Sequence, residues 1–312
     1  MSNTSKQTSS NQTSSNHIPV GVALFVMLLA FFWGCNIVAI KIGLRGVPPL
    51  ASAGIRFGIA LPLIVVWAAM RGIRVVPKRR ELPRLLVLGL VFTVQIAFIV
   101  IGTNRTLAAR ASVFLNAYPV FVAFFSHWFV PNDRLTVRKI VGLIAATAGL
   151  LVVFSGGFAD GKGASIAGDL LVVLSGVLLA VLVIMINRLA QQTAPVRVTI
   201  GELTVGVPLF LALSAIFESG SDWSLSVPVI LALCYQGVVV AAFCFVAFAI
   251  LLKRYPPSKL SVLFFTTPLW GVVASFLILG DTITVQLLAG AALVGAGIYV
   301  VNKNGSKERV QR

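Results

Sequence analysis

Charged residues are scarce in this sequence. They make up 11% of its 312 residues, whereas an ordinary soluble domain carries roughly a quarter. Because 58% of the residues are hydrophobic, there is too little polar surface to cover a water-soluble globule. The net charge of +16 does not indicate nucleic acid, since the basic residues sit at the edges of apolar runs and form no continuous patch.

Residues able to build a catalytic or metal centre are also few. The three cysteines, Cys35, Cys234 and Cys244, lie in apolar runs without CxxC spacing, which favours core packing over metal binding. The main alternative class, an intramembrane enzyme acting on lipid or peptide bonds, needs converging acid, base or metal groups. The apolar runs offer no HExxH motif, no aspartate pair and no histidine cluster. We therefore expect a protein that is not an enzyme and has no metal or cofactor.

What the sequence does contain is a series of long apolar runs separated by short polar breaks. Most runs are close to the roughly 20 residues that cross a bilayer as a helix, and the alternating strands of a membrane barrel do not appear. We predict an all-α integral membrane protein with ten transmembrane helices. The predicted spans are residues 20–43, 49–70, 82–103, 107–130, 138–155, 167–188, 197–217, 226–252, 257–279 and 284–302.

The basic residues predict the orientation of these spans. Most of the 25 lysines and arginines fall in alternate loops on one side, which is the cytoplasmic side by the positive-inside rule. We therefore expect a multi-pass protein of the plasma (inner) membrane with both termini in the cytoplasm. Residues 1–18, rich in Ser, Asn and Thr, are predicted to be a disordered tail, and residues 304–312 a second cytoplasmic tail.

The chain repeats itself at an offset of about 148 residues. Asp133 then aligns with Asp281, and Pro119 aligns with Pro268. A unit of five spans crosses the membrane an odd number of times, so its second copy must enter from the opposite side. The predicted repeats, residues 19–156 and 165–303, are therefore inverted, an arrangement typical of secondary transporters with alternating access.

Several segments carry a family resemblance: FFWGCNIVAIKIG in span 1, PPLASAGIRFGIA entering span 2, TLAARASVFLNAYPVFVAFFSHWFVPNDRLT through span 4, and YPPSKLSVLFFTTPLWGVVASFLILGDTIT in the second half. In this order they resemble the drug/metabolite transporter superfamily, specifically its EamA-type members. The resemblance implies export of amino acids, nucleosides, sugars, drugs or other metabolites through a cavity between the halves. Family members commonly have Glu where Asp133 and Asp281 stand, and often Trp where Ala180 aligns, which bears on pocket volume.

Polar residues cluster near the middle of several predicted spans. Pro119 and Pro268 each remove a helix hydrogen bond there, which predicts either two kinks flanking a polar cavity or packing curvature alone. The candidate substrate-binding residues are Trp33, Asn36, Gln95, Asn116, Tyr118, Tyr235, Gln236, Thr266 and Thr267. Each amide could instead join helices. As a set they predict a neutral, hydrogen-bonding pocket suited to zwitterions or amphipathic solutes.

Arg56 and Glu202 are charges placed inside predicted spans, where charges are commonly functional. Counted from the span ends, they differ in depth by about 12 Å, which argues against a direct salt bridge. We expect Arg56 to snorkel or to bond free carbonyls. Glu202 is either a proton-coupling carboxylate or a structural residue at the inner mouth.

Small residues recur at four-residue spacing in predicted spans 5 and 10, at Ala145 and Gly149 and at Ala292 and Ala296. Such spacing allows close helix approach, so these spans are candidates for a scaffold or for a homodimer contact. The expected partners are the lipid bilayer and a small-molecule solute. Together these features predict a secondary transporter, and the direction of export comes from the family resemblance alone.

Overall fold

The computed structural model describes residues 18–106, 114–154, 165–270 and 285–302, and this part of the chain is helical without strands. The helices are α1 (Val20–Gly43), α2 (Pro49–Met70), α3 (Leu82–Arg105), α4 (Tyr118–Phe129), α5 (Val137–Phe154), α6 (Ile166–Gln192), α7 (Pro195–Phe217), α8 (Val227–Arg254), α9 (Pro257–Leu263) and α10 (Val285–Asn302). A π-helical stretch, Gln236–Cys244, interrupts α8. A 3-10 turn, Phe264–Thr266, follows α9.

Among the described residues, six helices are long and apolar enough to cross a membrane: α1, α2, α3, α6, α7 and α8. Their bounds lie close to the predicted runs because proline and charge mark where each run stops. Both α2 and α7 begin at a proline, Pro49 and Pro195, which the first helical turn accepts without losing a hydrogen bond. Parts of the fourth and ninth predicted spans, residues 107–113 and 271–279, lie outside the described residues.

Among the described residues, three pairs of helices five positions apart in the chain pack against each other, and the α2–α7 pair is antiparallel. In α2 and α7, Gly54 faces Leu211 and Gly58 faces Val207, so one helix ascends where the other descends. α4 packs on α9, and α5 packs on α10. α3 contacts α6, and α8 contacts α1. Because α8 and α1 are the counterparts of α3 and α6 in the other half, this is the same contact with the two halves exchanged. The packing is therefore nearly unchanged when the first five helices are exchanged for the last five.

The contact between α5 and α10 depends on glycine. A Cβ atom added to Gly142 would lie 2.7 Å from the carbonyl oxygen of Gly297, and one added to Gly149 would lie 2.7 Å from that of Gly290. Such distances exclude any side chain unless the helices separate. Gly149 therefore serves as scaffold within one chain, as the small-residue spacing predicted, whereas Ala292 and Ala296 are exposed.

We expect Gly149→Ala to lower stability by about 1–3 kcal/mol, because the added methyl group overpacks the α5–α10 contact. The matched control is Gly295→Ala in α10, where an added Cβ meets no atom of the described residues within 4 Å. Thermal unfolding of detergent-solubilised protein, followed by size-exclusion chromatography, compares the two variants. Equal melting temperatures would contradict the assigned role of Gly149.

Polar contacts join the two halves at the end of the bundle that carries the basic loop 71–81. Arg197 donates to both carboxylate oxygens of Glu81, at 3.1 and 3.2 Å, and through Nε to the carbonyl oxygen of Arg74 at 2.9 Å. Burial alone would raise the pKa of Glu81, but hydrogen bonds from the Lys78 N–H and from Arg197, with the charge of Arg197, lower it on balance.

Asp133 makes a second link at the same end of the bundle. Its carboxylate is 1% exposed and accepts from Lys139 Nζ at 2.5 Å. It also accepts from the backbone N–H of Ser258 at 3.1 Å and from the Ser258 hydroxyl. Since Ser258 lies in the first turn of α9, Asp133 holds the start of α9 against the segment that follows α4.

Other contacts join the halves at the opposite end. The Glu218 carboxylate accepts from the backbone N–H groups of Leu50 at 2.8 Å and Ala51 at 3.0 Å, which satisfies two free donors at the start of α2. Thr106 Oγ1 donates to Asp169 Oδ1 at 2.6 Å. Each end of the bundle therefore carries a carboxylate that holds the first turn of a helix from the other half.

Two apolar cores stabilise the described helices. The first is centred on α1, α4, α9 and α10, and the second on α2, α3 and α7. α6 and α8 contribute side chains to both cores. The candidate site lies where these two cores meet.

Candidate functional site

A cavity of about 220 Å³ lies between the two cores, and residues from both halves line it. This volume is below the roughly 300–1,000 Å³ of sites for drug-sized ligands, which favours a small metabolite. The polar and amphipathic lining residues are Trp33, Asn36, Arg56, Gln95, Thr103, Asn116, Tyr118, Thr199, Glu202, Gln236 and Thr267.

Aromatic rings form much of the apolar wall. Trp33 meets Phe264 and Phe248 edge to face, with ring centroids 5.1 and 5.8 Å apart. Phe57 and Phe92 also line the cavity and pack edge to face, with ring centroids 4.9 Å apart. Such pairs combine a large apolar area with a defined ring geometry, so they fix the positions of the rings that line the cavity.

Arg56 lies inside this cavity and is only 5% exposed. Its Nη1 donates to Gln236 Oε1 at 3.1 Å, and its Cζ lies 4.6 Å from the centroid of the Phe57 ring. The prediction that Arg56 snorkels or bonds free backbone carbonyls is therefore wrong. At this depth α2 packs against α7 and α8. The Arg56 side chain therefore extends into the protein and not along the lipid.

The position of Gln236 follows from the local shape of α8. Gln236 begins the π-helical stretch, and its Nε2 donates to the carbonyl oxygen of Ala39 in α1 at 3.1 Å. The next residue, Gly237, lets α8 touch α2, since a Cβ there would lie 2.9 Å from the carbonyl oxygen of Arg56. π-helical turns are rare and occur frequently at functional sites. Gln236 thus joins α1, α2 and α8 at the cavity wall.

Glu202 lines the same cavity from α7 and is 3% exposed. Among the described residues it has no hydrogen bond and no ion pair. No ion pair joins it to Arg56 there, in agreement with the predicted separation in depth. A structural role for Glu202 at the inner mouth would need a bonded partner, and the described side chains supply none.

Several other predicted residues line the cavity. Gln95 is held by α6, since its Nε2 donates to Ser175 Oγ at 2.9 Å and Ser175 Oγ donates to the Gln95 carbonyl at 3.1 Å. Asn36 Oδ1 and Thr267 Oγ1 are buried and have no hydrogen-bond partner among the residues that the structure describes. Asn116 and Tyr118 line the cavity beside the start of α4. Gln95 therefore joins helices as well as lining the cavity.

Two predicted residues do not reach the cavity. The Tyr235 hydroxyl donates to the carbonyl oxygen of Phe32 at 2.9 Å, and Thr266 Oγ1 donates to the carbonyl oxygen of Leu263 at 2.8 Å. Each precedes a residue that does line it, Gln236 or Thr267. Neighbouring residues of a helix point in directions roughly a quarter-turn apart, so one polar residue does not bring its neighbour into the same site.

The two prolines mark helix interruptions and not bends within continuous helices. Pro119 lies in the first turn of α4, where its missing N–H costs nothing. Pro268 follows the 3-10 turn Phe264–Thr266. Neither proline lines the cavity, but Tyr118 and Thr267, which directly precede them, do.

The sequence matches a known family along most of its length. The sequence profile described as the EamA-like transporter family matches twice, over residues 21–155 and 166–303. The chain belongs to the EamA-like transporter family. It is therefore a multi-pass membrane protein of a transporter family within the drug/metabolite transporter superfamily, as the resemblance indicated.

Relatives of this EamA-like chain include proteins named as transporters. It is 31% identical over 289 residues to "Uncharacterized transporter YvbV" of Bacillus subtilis, covering 92% of this chain and 93% of that protein. It is 28% identical over 287 residues to "Probable amino-acid metabolite efflux pump" of Salmonella typhimurium, covering 88% of this chain and 92% of that protein. A solved crystal structure shares the fold with a TM-score of 0.76 at 21% identity, covering 90% of this chain and 96% of that chain.

Some residues that line the cavity of this EamA-like protein were not predicted from the sequence. Thr103 and Thr199 were missed, although helical spacing could have found them. Thr103 lies two turns beyond Gln95, and Thr199 lies one turn before Glu202, so each shares a face with a residue already selected. The phenylalanines of the wall carried no such signal, because an apolar residue in a span does not show which way it faces.

Proposed function

We propose that this protein is a secondary transporter that exports small organic metabolites such as amino acids. It works by alternating access around a midplane cavity between inverted repeats. The observation that carries the proposal is the cavity itself. It lies between the two halves and takes Arg56 from the first and Glu202 and Gln236 from the second.

The proposed topology has ten spans and both termini in the cytoplasm of the inner membrane. Antiparallel packing of equivalent helices supports inversion, because a two-fold axis within the membrane plane relates helices in that manner. Tags at positions 160 and 220 test the topology, since both should report from outside the cytoplasm. Two cytoplasmic signals would exclude it.

The proposed substrate class rests on the cavity lining and on family membership. Amide and hydroxyl groups next to aromatic rings suit a small solute with both polar and apolar parts. The name of the Salmonella typhimurium relative, an amino-acid metabolite efflux pump, favours amino acids within that class. A homodimer in the lipid bilayer remains a prediction, with the exposed Ala292–Ala296 face of α10 as its candidate contact.

Purified protein in proteoliposomes tests the proposed function directly. The panel consists of the twenty standard amino acids, four nucleosides and the cation tetraphenylphosphonium, each with and without a pH gradient. We expect protein-dependent flux of at least one organic solute. If no solute moves faster than in protein-free vesicles under any gradient, the proposal is wrong.

We expect Gln236→Ala to reduce transport roughly tenfold while membrane insertion stays intact. The change removes two side-chain hydrogen bonds, to Arg56 and Ala39, and leaves the buried guanidinium without its protein acceptor. The matched control is Gln191→Ala, whose exposed amide bonds the Lys253 carbonyl. Wild-type flux in Gln236→Ala for a confirmed substrate would exclude this wall from the site.

A further inference from the structure

A second pocket, of about 360 Å³, opens on the surface where the end of α4 meets the end of α6. It lies at the end of the bundle that carries the basic loop 71–81. We propose that it binds the headgroup of an anionic phospholipid, whose acyl chains then lie against the aromatic residues beside it. The residues that make this contact are His127, Trp128, Phe129, Asn132, Arg134 and Arg188.

The pocket carries positive charge. Arg134 and Arg188 line it and are exposed, and no carboxylate of the described residues lines it. Within that part of the chain neither arginine has an ion pair, whereas the nearby Lys139 is paired with Asp133. Guanidinium groups bind phosphate oxygens through parallel N–H donors, so two of them beside one pocket suit a phosphate group.

The two arginines reach the pocket from different halves of the protein. Arg188 lies near the end of α6, and its Cζ is 6.0 Å from the centroid of the Phe129 ring at the end of α4. Arg134 lies in the segment after α4, where Asn132 has a left-handed φ of 63° and turns the chain. A phosphate held by both arginines therefore bridges the two halves at this surface.

His127 adds a third polar group to the pocket. Its Nδ1 accepts from the backbone N–H of Leu135 at 3.2 Å, so the ring hydrogen is carried by Nε2. This bond also ties the last turn of α4 to the segment that carries Arg134. The imidazole can therefore donate from Nε2 to a headgroup oxygen.

The aromatic residues beside the pocket favour a lipid over a soluble phosphate. Phe124, Trp128 and Phe129 are 49%, 59% and 48% exposed, and the rings of Phe124 and Trp128 meet edge to face at 4.3 Å. Tryptophan is enriched where membrane proteins cross the level of the lipid headgroups. A soluble anion would use only the arginines, whereas a phospholipid uses the charged pocket and the apolar rings together.

The repeat shows that the fold itself does not require these side chains. At the same offset that aligns Pro119 with Pro268, His127 aligns with Phe276 and Trp128 with Leu277. The counterpart of Arg134 is Thr282. The basic and aromatic set therefore belongs to one end of the bundle, the end that the positive-inside rule assigns to the cytoplasm. Anionic lipids of the cytoplasmic leaflet attract basic residues at that level.

Native mass spectrometry of the purified, delipidated protein measures the binding of lipid. The probes are phosphatidylglycerol, phosphatidylcholine with the same acyl chains, and glycerophosphoglycerol, which is the deacylated headgroup of the first. We expect phosphatidylglycerol to bind at least about tenfold more tightly than phosphatidylcholine, because the choline cation is repelled by the two arginines. Glycerophosphoglycerol at the same concentration should not displace it.

A double variant assigns the site. Arg134→Gln combined with Arg188→Gln should weaken binding of phosphatidylglycerol by about tenfold or more and leave binding of phosphatidylcholine unchanged. The matched control is Arg79→Gln combined with Arg80→Gln. It removes the same charge from the same end of the bundle, at exposed positions that do not line the pocket.

Three results would overturn the proposal. Equal binding of the two lipids, or an equal loss of binding in the control, would mean that the basic end attracts lipid only through its overall charge. Displacement by glycerophosphoglycerol at the same concentration would make the occupant a soluble anion. The assay measures no transport, so each of these results leaves the proposed function standing.

Discussion

Asp133→Ala is expected to destabilise the protein by about 3–5 kcal/mol, the usual loss when one partner of a buried charge pair is removed. The variant leaves Lys139 with its Nζ buried and, within the described part of the chain, bonded only to the Arg134 carbonyl at 2.9 Å. It also frees the N–H and the hydroxyl of Ser258 at the start of α9. We therefore expect a lower melting temperature and a weakened contact between α9 and the segment after α4.

Two further variants test whether the loss of stability comes from the unpaired charge of Lys139. Asp222→Ala is the control, because Asp222 is exposed and its substitution should change the melting temperature little. Asp133→Ala combined with Lys139→Met removes both charges and should recover part of the loss. Fluorescence-detected size-exclusion chromatography after heating compares all three. If Asp133→Ala and Asp222→Ala have the same melting temperature, the contacts of Asp133 with Lys139 and Ser258 do not hold this end of the bundle together.

The sequence predicted the helices best where their ends are marked chemically. The predicted runs 20–43 and 49–70 coincide with α1 and α2, because glycine, proline and arginine stand at their limits. α6 extends to Gln192, a full turn beyond the prediction, because Asn187 and Gln191 bond carbonyls of α8 and so continue the helix past the apolar run. Hydropathy registers the apolar run alone and misses such polar extensions.

Interruptions within helices were less predictable. The prolines at 119 and 268 pointed to the right places in the chain, but not to the form that the breaks take. The π-helical stretch from Gln236 to Cys244 contains no proline and no charge, so nothing in its composition marked it. The stretch packs against α1 and α2, and these are tertiary contacts that a single sequence does not show.

The candidate site was predicted in part. Polar residues in spans proved a good guide, since Asn36, Gln95 and Gln236 all line the cavity. The partner of Arg56 was not predictable, because the bond to Gln236 joins residues 180 positions apart and depends on the close approach that Gly237 allows. A single sequence shows which side chains need a partner, but not which helices bring them together.

Thr103→Trp is expected to reduce transport by at least about tenfold without a comparable loss of stability. Thr103 lies at the end of α3, lines the cavity and is half-buried, so its side chain borders open space as well as packed atoms. An indole placed there occupies much of a cavity of about 220 Å³. Because the volume is taken from the solute and not from the packed core, the cost of overpacking should be small.

Occlusion by Thr103→Trp is distinguished from a general effect of tryptophan by Thr204→Trp in α7. Thr204 is exposed and does not line the cavity, so the same substitution there should leave flux unchanged. Thr103→Ser, which keeps the hydroxyl and removes one methyl group, should transport at close to the wild-type rate. Equal flux in Thr103→Trp and Thr204→Trp would mean that the solute does not pass the end of α3. The transport path would then have to leave the cavity on another side.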